Sequence, residues 1–180
     1  MLNEQDTGLI VTDIQGRLAK TVYQSEAFLL KCEQLIRAAE VLALPIIWLE
    51  QVPDKLGATT PVLQPFINRN SLITKCTFDA CQNAQFVDTI QRNGKNQWLI
   101  CGIEAHICVY QTALSLLERG YTVFPVSDAV SSRDPDNKQL ALANLRDAGA
   151  AISSVEMCLY QLLGSSQHPA FADILAMIKE

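Results

Sequence analysis

Three side chains able to do covalent chemistry stand at or just past the ends of apolar runs. Asp13 follows Leu9-Ile10-Val11-Thr12, Lys75 follows Leu72-Ile73-Thr74, and Cys108 comes shortly after Gln97-Trp98-Leu99-Ile100-Cys101. A carboxylate, an ammonium and a thiol gathered at one place make a nucleophilic site. A free thiol is only about 3% thiolate at neutral pH, so it needs help. Lys75 beside it favours the anion, and so does the positive start of a helix over 106–118. Asp13 repels a thiolate, so its use is to accept the thiol proton and later hand it to the leaving group. A carboxylate at the end of an apolar strand is partly desolvated, which raises its pKa toward that task. The segment Gly102-Ile103-Glu104-Ala105-His106-Ile107-Cys108 passes from strand to helix in a few residues. Backbone amides at such a turn can converge on an oxyanion.

Those residues need elements to position them, and the hydrophobic pattern supplies short apolar runs alternating with amphipathic stretches. Strands are expected at 9–12, at Ile46-Ile47-Trp48-Leu49, at 72–74, at 97–101, at Thr122-Val123-Phe124-Pro125-Val126 and, as a short sixth, at Ala151-Ile152. The proline inside the fifth marks it as edge-like or irregular. Between them the pattern predicts helices over 26–43, 82–92 and 106–118, one from Asp134-Pro135 to Gly149, one over 154–163, and a last one after Pro169. The first carries Glu33, Arg37 and Glu40 on one face and Phe28, Leu35, Ala39 and Leu42 on another. Asn93-Gly94 and Gly120 end two of them, and Ser153 with Glu156 reads as a capping box. This order predicts an α/β fold: a doubly wound, mostly parallel six-stranded sheet with helices on both faces, in one domain spanning 1–180. In such a sheet ligands bind beyond the carboxyl ends of the strands, where Asp13, Lys75 and Cys108 all fall. The long loop 51–70, with Pro53, Gly57, Pro61 and Pro65, is expected to serve the site.

Composition narrows the classes. Of 180 residues 49% are hydrophobic and 18% charged, which suits a packed globular chain. With a net charge of −5 there is no basic stripe to track a phosphate backbone, so nucleic acid is not an expected partner. No apolar run approaches a membrane span. The polar, acidic start Met1-Leu2-Asn3-Glu4-Gln5-Asp6 does not read as a leader peptide. Six cysteines without a CxxC pair or zinc spacing read as reduced thiols in a cytoplasmic setting. No G-x-G-x-x-G follows the first strand, where Asp13-Ile14-Gln15-Gly16-Arg17 stands, so a dinucleotide site is not expected.

Taken in order, several segments carry a family likeness: Val11-Thr12-Asp13-Ile14-Gln15, Thr74-Lys75, Gly102 through Val109, Val126-Ser127-Asp128-Ala129 and Ser131-Ser132-Arg133. The chain resembles the isochorismatase-like cysteine hydrolases over nearly its whole length. Glu50-Gln51-Val52-Pro53 with Leu56-Gly57, and Leu145 through Ala150, look most like the subgroup of isochorismatase domain-containing proteins. The resemblance implies an Asp13–Lys75–Cys108 triad, a cis peptide between Ile103 and Glu104, and an oxyanion hole from the Glu104 and Cys108 amides. It also implies hydrolysis of a small amide-type substrate through a thioester, in a homo-oligomer. Two departures matter. Nicotinamidases carry an Asp-x-His metal site where this chain has Glu50-Gln51-Val52, and only His106 and His168 are present, so no metal or other cofactor is expected. Isochorismatases proper lack the cysteine, so Cys108 argues against isochorismate.

Gln15, Glu50, Gln51 and Phe78 follow the first three strands and are the expected pocket wall. Cys32, Cys101 and Cys158 read as buried apolar residues, and Cys76 and Cys81 as packing near the site. His106 fits a capping role or a substrate contact, the Glu104 carboxylate fits a paired one, and Asp128 with Arg133 fits an ion pair at the rim. Two other readings stay open: a non-catalytic interaction protein that keeps the hydrolase fold, and a redox sensor pairing Cys108 with Cys76 or Cys81.

Overall fold

The computed structural model describes residues 1–68 and 71–179. Its centre is a five-stranded sheet in the order β3-β2-β1-β4-β5, every neighbouring pair parallel. The strands are β1 (Thr7–Thr12), β2 (Ile46–Gln51), β3 (Leu72–Lys75), β4 (Gln97–Ile103) and β5 (Thr122–Ser131). β1 is buried throughout, which is why it reads as an unbroken apolar run rather than an alternating one. The chain winds from β1 outward through β2 and β3, then returns to lay β4 on the other side of β1. The β1–β4 junction is therefore the point where strand order reverses, the usual ligand crevice of such sheets.

Period-two alternation splits the strands between two apolar cores. Leu9, Val11, Trp48, Leu99, Cys101 and Val126 face α2 (Ser25–Val41), α7 (Val155–Leu163) and α8 (Phe171–Ile178). Ile10, Ile47, Leu49, Ile73, Trp98 and Ile100 face α4 (Ala84–Asn93), α5 (Tyr110–Glu118) and α6 (Pro135–Asp147). Two short helices, α1 (Leu18–Thr21) and α3 (Pro53–Leu56), lie in the loops after β1 and β2. Helix ends follow local chemistry: Asn83 accepts from Phe86 N–H to open α4, Gly94 closes it at φ +63°, and Asp134 caps α6 with Pro135 in its first turn.

Four expectations change here. The sixth strand is absent as a strand: residues 151–153 run beside β5, with Ala151 N–H on Val123 O and Ser153 N–H on Pro125 O, but form only an isolated bridge at Ser153. The segment ends at once in the cap of α7, leaving no length for a ladder. That cap is Ser154, which accepts from Met157 N–H, so Ser153 is not the capping residue. The fifth strand runs on past Val126 to Ser131, and its register jumps from Ile100↔Pro125 to Gly102↔Val130, the irregularity its proline announced. The expected helix 106–118 is two pieces, a π-turn over Ala105–Val109 and then α5. One wide turn inserted at a functional helix start is a common device for re-aiming a side chain.

Candidate active site

Each candidate residue is placed by a distinct backbone feature. Asp13 takes a left-handed conformation (φ +51°) as β1 ends, with its N–H on Leu49 O, so the chain turns and the carboxylate stays at the sheet edge. Gly102 lets β4 lie against it: at φ +120°, a Cβ there would stand 2.0 Å from Thr12 O. Lys75 ends β3, two strands from β1, and its side chain reaches back under the loop. Cys108 is carried by the π-turn, where Val109 N–H bonds Glu104 O five residues earlier. The Ile103–Glu104 peptide that precedes the turn is cis.

The Asp13–Lys75 pair is dry. Lys75 Nζ lies 2.7 Å from Asp13 Oδ2, and the two side chains are 4% and 0% exposed. Lys75 Nζ also donates to Gln51 Oε1 at 2.6 Å and Thr77 O at 3.2 Å, so its three donors are all engaged. Asp13 Oδ1 is buried and accepts no hydrogen bond among the described residues. The Cys108 thiol lies close enough to that carboxyl and to Lys75 for each to bear on its ionisation. Burial raises Asp13 above its usual carboxylate range, and Lys75 opposes the rise without cancelling it. For Cys108 the expected balance is reversed. Burial first, and the Asp13 charge second, push the thiol up to about 12 against a smaller downward pull from Lys75. The resting sulfur is thus a protonated thiol, and an oxygen able to take its proton is alongside.

The expected wall residues turn inward. Gln15 donates through Nε2 to Gln51 O (3.1 Å) and Gly57 O (2.6 Å) and accepts Gln51 N–H (2.6 Å). Glu50 Oε1 holds Thr59 by its N–H and hydroxyl, both at 2.7 Å. Gln51 orients Lys75 and donates to Cys76 O. All three are committed to protein partners that brace loop 51–70 and the ammonium. Phe78 alone is exposed, at 55%. His106 and Tyr110 share one side of the turn and line a cavity of about 200 Å³ with Asn137 and Leu140 of α6, while His106 Nδ1 meets Ser132 Oγ at 2.9 Å. Cys108 sits between them in sequence and faces the other way, toward Asp13.

One pairing differs from expectation. Arg133 joins Glu104, with its backbone N–H and Nε 3.0 and 3.1 Å from Glu104 Oε1. Asp128 instead accepts Val155 N–H at the start of α7 and lies near Lys138. Two braces escaped the sequence reading. Thr59 is held by Glu50, and Asp79 ties Cys81 N–H and Ser115 Oγ, fixing the loop after Lys75 onto α5. The Asp79 turn has a sequence signal, an aspartate two residues before a donor N–H. Thr59 has none. Among the described residues no group of three or more His, Cys, Asp or Glu is placed to hold a metal ion, and no helix is long and apolar enough to cross a membrane.

A three-layer α/β sheet with a thiol, a carboxylate and an ammonium meeting at its strand-order reversal defines a class of small hydrolase-type domains. The isochorismatase domain matches residues 7–157, and the chain belongs to that family. It is 32% identical over 179 residues to isochorismatase domain-containing protein 2 of Xenopus laevis, covering 99% of this chain and 86% of the relative. Among solved structures it is similar to one described as the MAR1 ribonuclease of Caenorhabditis elegans (34% identity, TM-score 0.93, 99% of this chain and 92% of that one). It is also similar to YcaC from Pseudomonas aeruginosa with hexane-2,5-diol and covalent acrylamide (25% identity, TM-score 0.88, 99% and 97%).

Proposed function

We propose that this isochorismatase-family chain is a cysteine-dependent hydrolase that cleaves the C–N bond of a small amide through a thioester on Cys108. The observation that carries this reading is the 2.7 Å Lys75–Asp13 pair, dry and placed against the Cys108 thiol. In the first step Asp13 takes the thiol proton as Sγ bonds the substrate carbonyl carbon. The resulting oxyanion lies against the backbone N–H groups of Glu104 and Cys108. As the tetrahedral centre collapses, the C–N bond breaks and the amine leaves with the proton from Asp13. Water then adds to the thioester, Asp13 accepts its proton, and the C–S bond breaks to release the acid and restore the thiol. Lys75 keeps Asp13 oriented and stabilises the sulfur anion as it forms. A protonated resting thiol suits this scheme, because no standing thiolate is exposed to stray electrophiles.

The covalent acrylamide in the Pseudomonas relative supports a reactive group in this fold, since acrylamide is an amide whose double bond adds thiols. The ribonuclease name belongs to the nematode relative; here a net charge of −5 weighs against an RNA track. All six cysteines are free, which fits a reducing, cytoplasmic setting. Exposed Leu140, Met157 and Tyr160 fit assembly with further copies of the chain. Intact-mass measurement after mixing with a panel of small amides tests the reading. It expects an acyl adduct on Cys108 and no turnover in Cys108→Ala. Turnover that survives the substitution, or RNA cleavage with no amide cleavage, overturns it.

A further inference from the structure

A cavity of about 210 Å³ lies between α4 and α5, and the scheme above makes no use of it. Its floor is apolar: Phe86 and Ile90 of α4 and Leu116 of α5 line it, each 2% exposed or less. Exposed Arg119 and half-buried Tyr121 bring polar groups to its rim. Cys81 supplies a further wall, and its place is fixed. Its N–H donates to Asp79 Oδ1 at 2.8 Å, Ser115 Oγ donates to Asp79 Oδ2 at 2.7 Å, and Ala80 N–H donates to Thr112 Oγ1 at 3.0 Å. The segment cannot collapse onto the helices without giving up those buried bonds, so the space is largely pre-formed. Asp13, Lys75 and Cys108 do not line it, which makes it a separate space from the candidate active site. Arg119 is its one cation. Nη2 donates to Cys81 O at 3.4 Å, the long end of a hydrogen bond, and the other guanidinium donors take none among the described residues. No carboxylate competes for it within the cavity: Asp79 does not line the space, and both of its oxygens are engaged. Burial first, and Asp79 second, push the Cys81 thiol up to about 12, so that wall is neutral at physiological pH.

We propose that this cavity is a second small-molecule site whose ligand is a single-ring aromatic carboxylate, with the ring over Phe86, Ile90 and Leu116 and the carboxylate on Arg119. Size sets the ring. An apolar cavity of roughly 150 Å³ takes up benzene, so about 210 Å³ holds one ring with one small substituent. Charge sets the substituent. A guanidinium with free donors pairs with a planar carboxylate in two parallel hydrogen bonds, and the attraction is stronger beside an apolar surface than in open water. An amine in the same place would meet the charge of Arg119. The inference needs no chemistry at Cys108.

Benzoate tests it, with benzyl alcohol as the same ring without the charge and acetate as the charge without the ring. Each is titrated into the whole chain and followed in amide proton–nitrogen correlation spectra, which report affinity and place together. Benzoate is expected to bind with a dissociation constant on the order of 1 mM and to shift residues 81–91 and 116–121. Benzyl alcohol is expected to bind about tenfold more weakly at the same residues, the scale of one charge-assisted hydrogen bond, and acetate to shift nothing there. Arg119→Gln brings benzoate down to the affinity of benzyl alcohol and leaves benzyl alcohol unchanged. Val87→Trp places an indole in the space from the α4 side and removes both. Should Val87→Trp not fold, the wild-type shifts and the exposed Arg119→Gln carry the test. Benzoate that leaves residues 81–91 and 116–121 unmoved at about twentyfold that concentration, or shifts only those around Asp13 and Cys108, overturns the site. Benzoate and benzyl alcohol binding equally, unmoved by Arg119→Gln, overturns the assignment of a carboxylate to Arg119.

Discussion

Two carboxylate–cation pairs frame the carboxyl edge of the sheet, and they differ chiefly in their access to water. Asp13 and Lys75 are sealed, at 4% and 0% exposure, and the ammonium is saturated with acceptors. At the β5 side Glu104 is just as buried, but its partner Arg133 is mostly in solvent. In the dry pair each charge depends on the other, because neither can be rehydrated. Burial raises Asp13 against the opposing pull of Lys75, beside a thiol that burial has driven up to about 12. In the wet pair the Coulombic attraction is screened, and the contact acts as a hinge pin: it fixes where the guanidinium starts and leaves its far end free. A carboxylate–cation contact is thus a sealed unit where water is excluded and a tether on a solvated guanidinium where it is not.

The contrast can be broken by substitution. Asp13→Asn has the largest expected effect. Asparagine tolerates the left-handed backbone at position 13 but cannot accept a proton. Acylation of Cys108 should fall by roughly two to four orders of magnitude, measured by the rate of adduct formation, with the fold retained. Lys75→Met comes next. It strands Asp13 in a dry site and is expected to cost about 3–5 kcal/mol in urea denaturation. Adding Asp13→Asn to Lys75→Met should return much of that stability without returning activity. If the double variant is no more stable than Lys75→Met alone, the dry pair is not the unit described here.

The pH response sharpens the same point with a smaller effect. Cys108 keeps its proton to about 12 when folded, against 9.0 for an ordinary thiol. Between those values the unfolded chain has released the proton and the folded one has not, so stability falls as pH rises through that window and is fully present below it. Cys108→Ala should therefore flatten the alkaline decline expected in urea titrations at a series of pH values. Cys81 and Cys158, pushed to about 12 and about 11 by burial, preserve the remainder. On the acid side, the raised Asp13 places the lower limb of the rate profile above 3.8. Arg133→Met should have the smallest effect, a slight change in melting temperature well below that of Lys75→Met. A loss as large as the buried lysine's would mean that the rim pair is structural and would erase the contrast.

Most of the scaffold is local and so could be read along the chain. Apolar runs bounded by Pro45, Gly94 and Asp134-Pro135 gave the strands and helix ends, because periodicity and capping involve residues within one turn of each other. The alternation of the two element types gave a parallel sheet, and that placed Asp13, Lys75 and Cys108 at one edge before any distance was known. Failures begin where two segments must choose each other. Arg133 bonds Glu104 rather than Asp128, a choice made across 29 residues by where β4 and β5 end. Residues 151–153 have the composition of a strand but not the room. Gln15 and Gln51 bond each other, and Gln15 and Glu50 hold Gly57 and Thr59 of the loop after β2, pairings across distant positions that short-range pattern does not encode.

By itself the sequence determined which chemical groups reach the edge of the sheet and in what order the elements occur, since both follow from residue type and short-range pattern. Only the tertiary structure decided the protonation of the thiol, the saturation of the lysine and the exposure of Arg133. Those depend on how much water each group loses and which distant atoms replace it, quantities that exist only once the chain is packed.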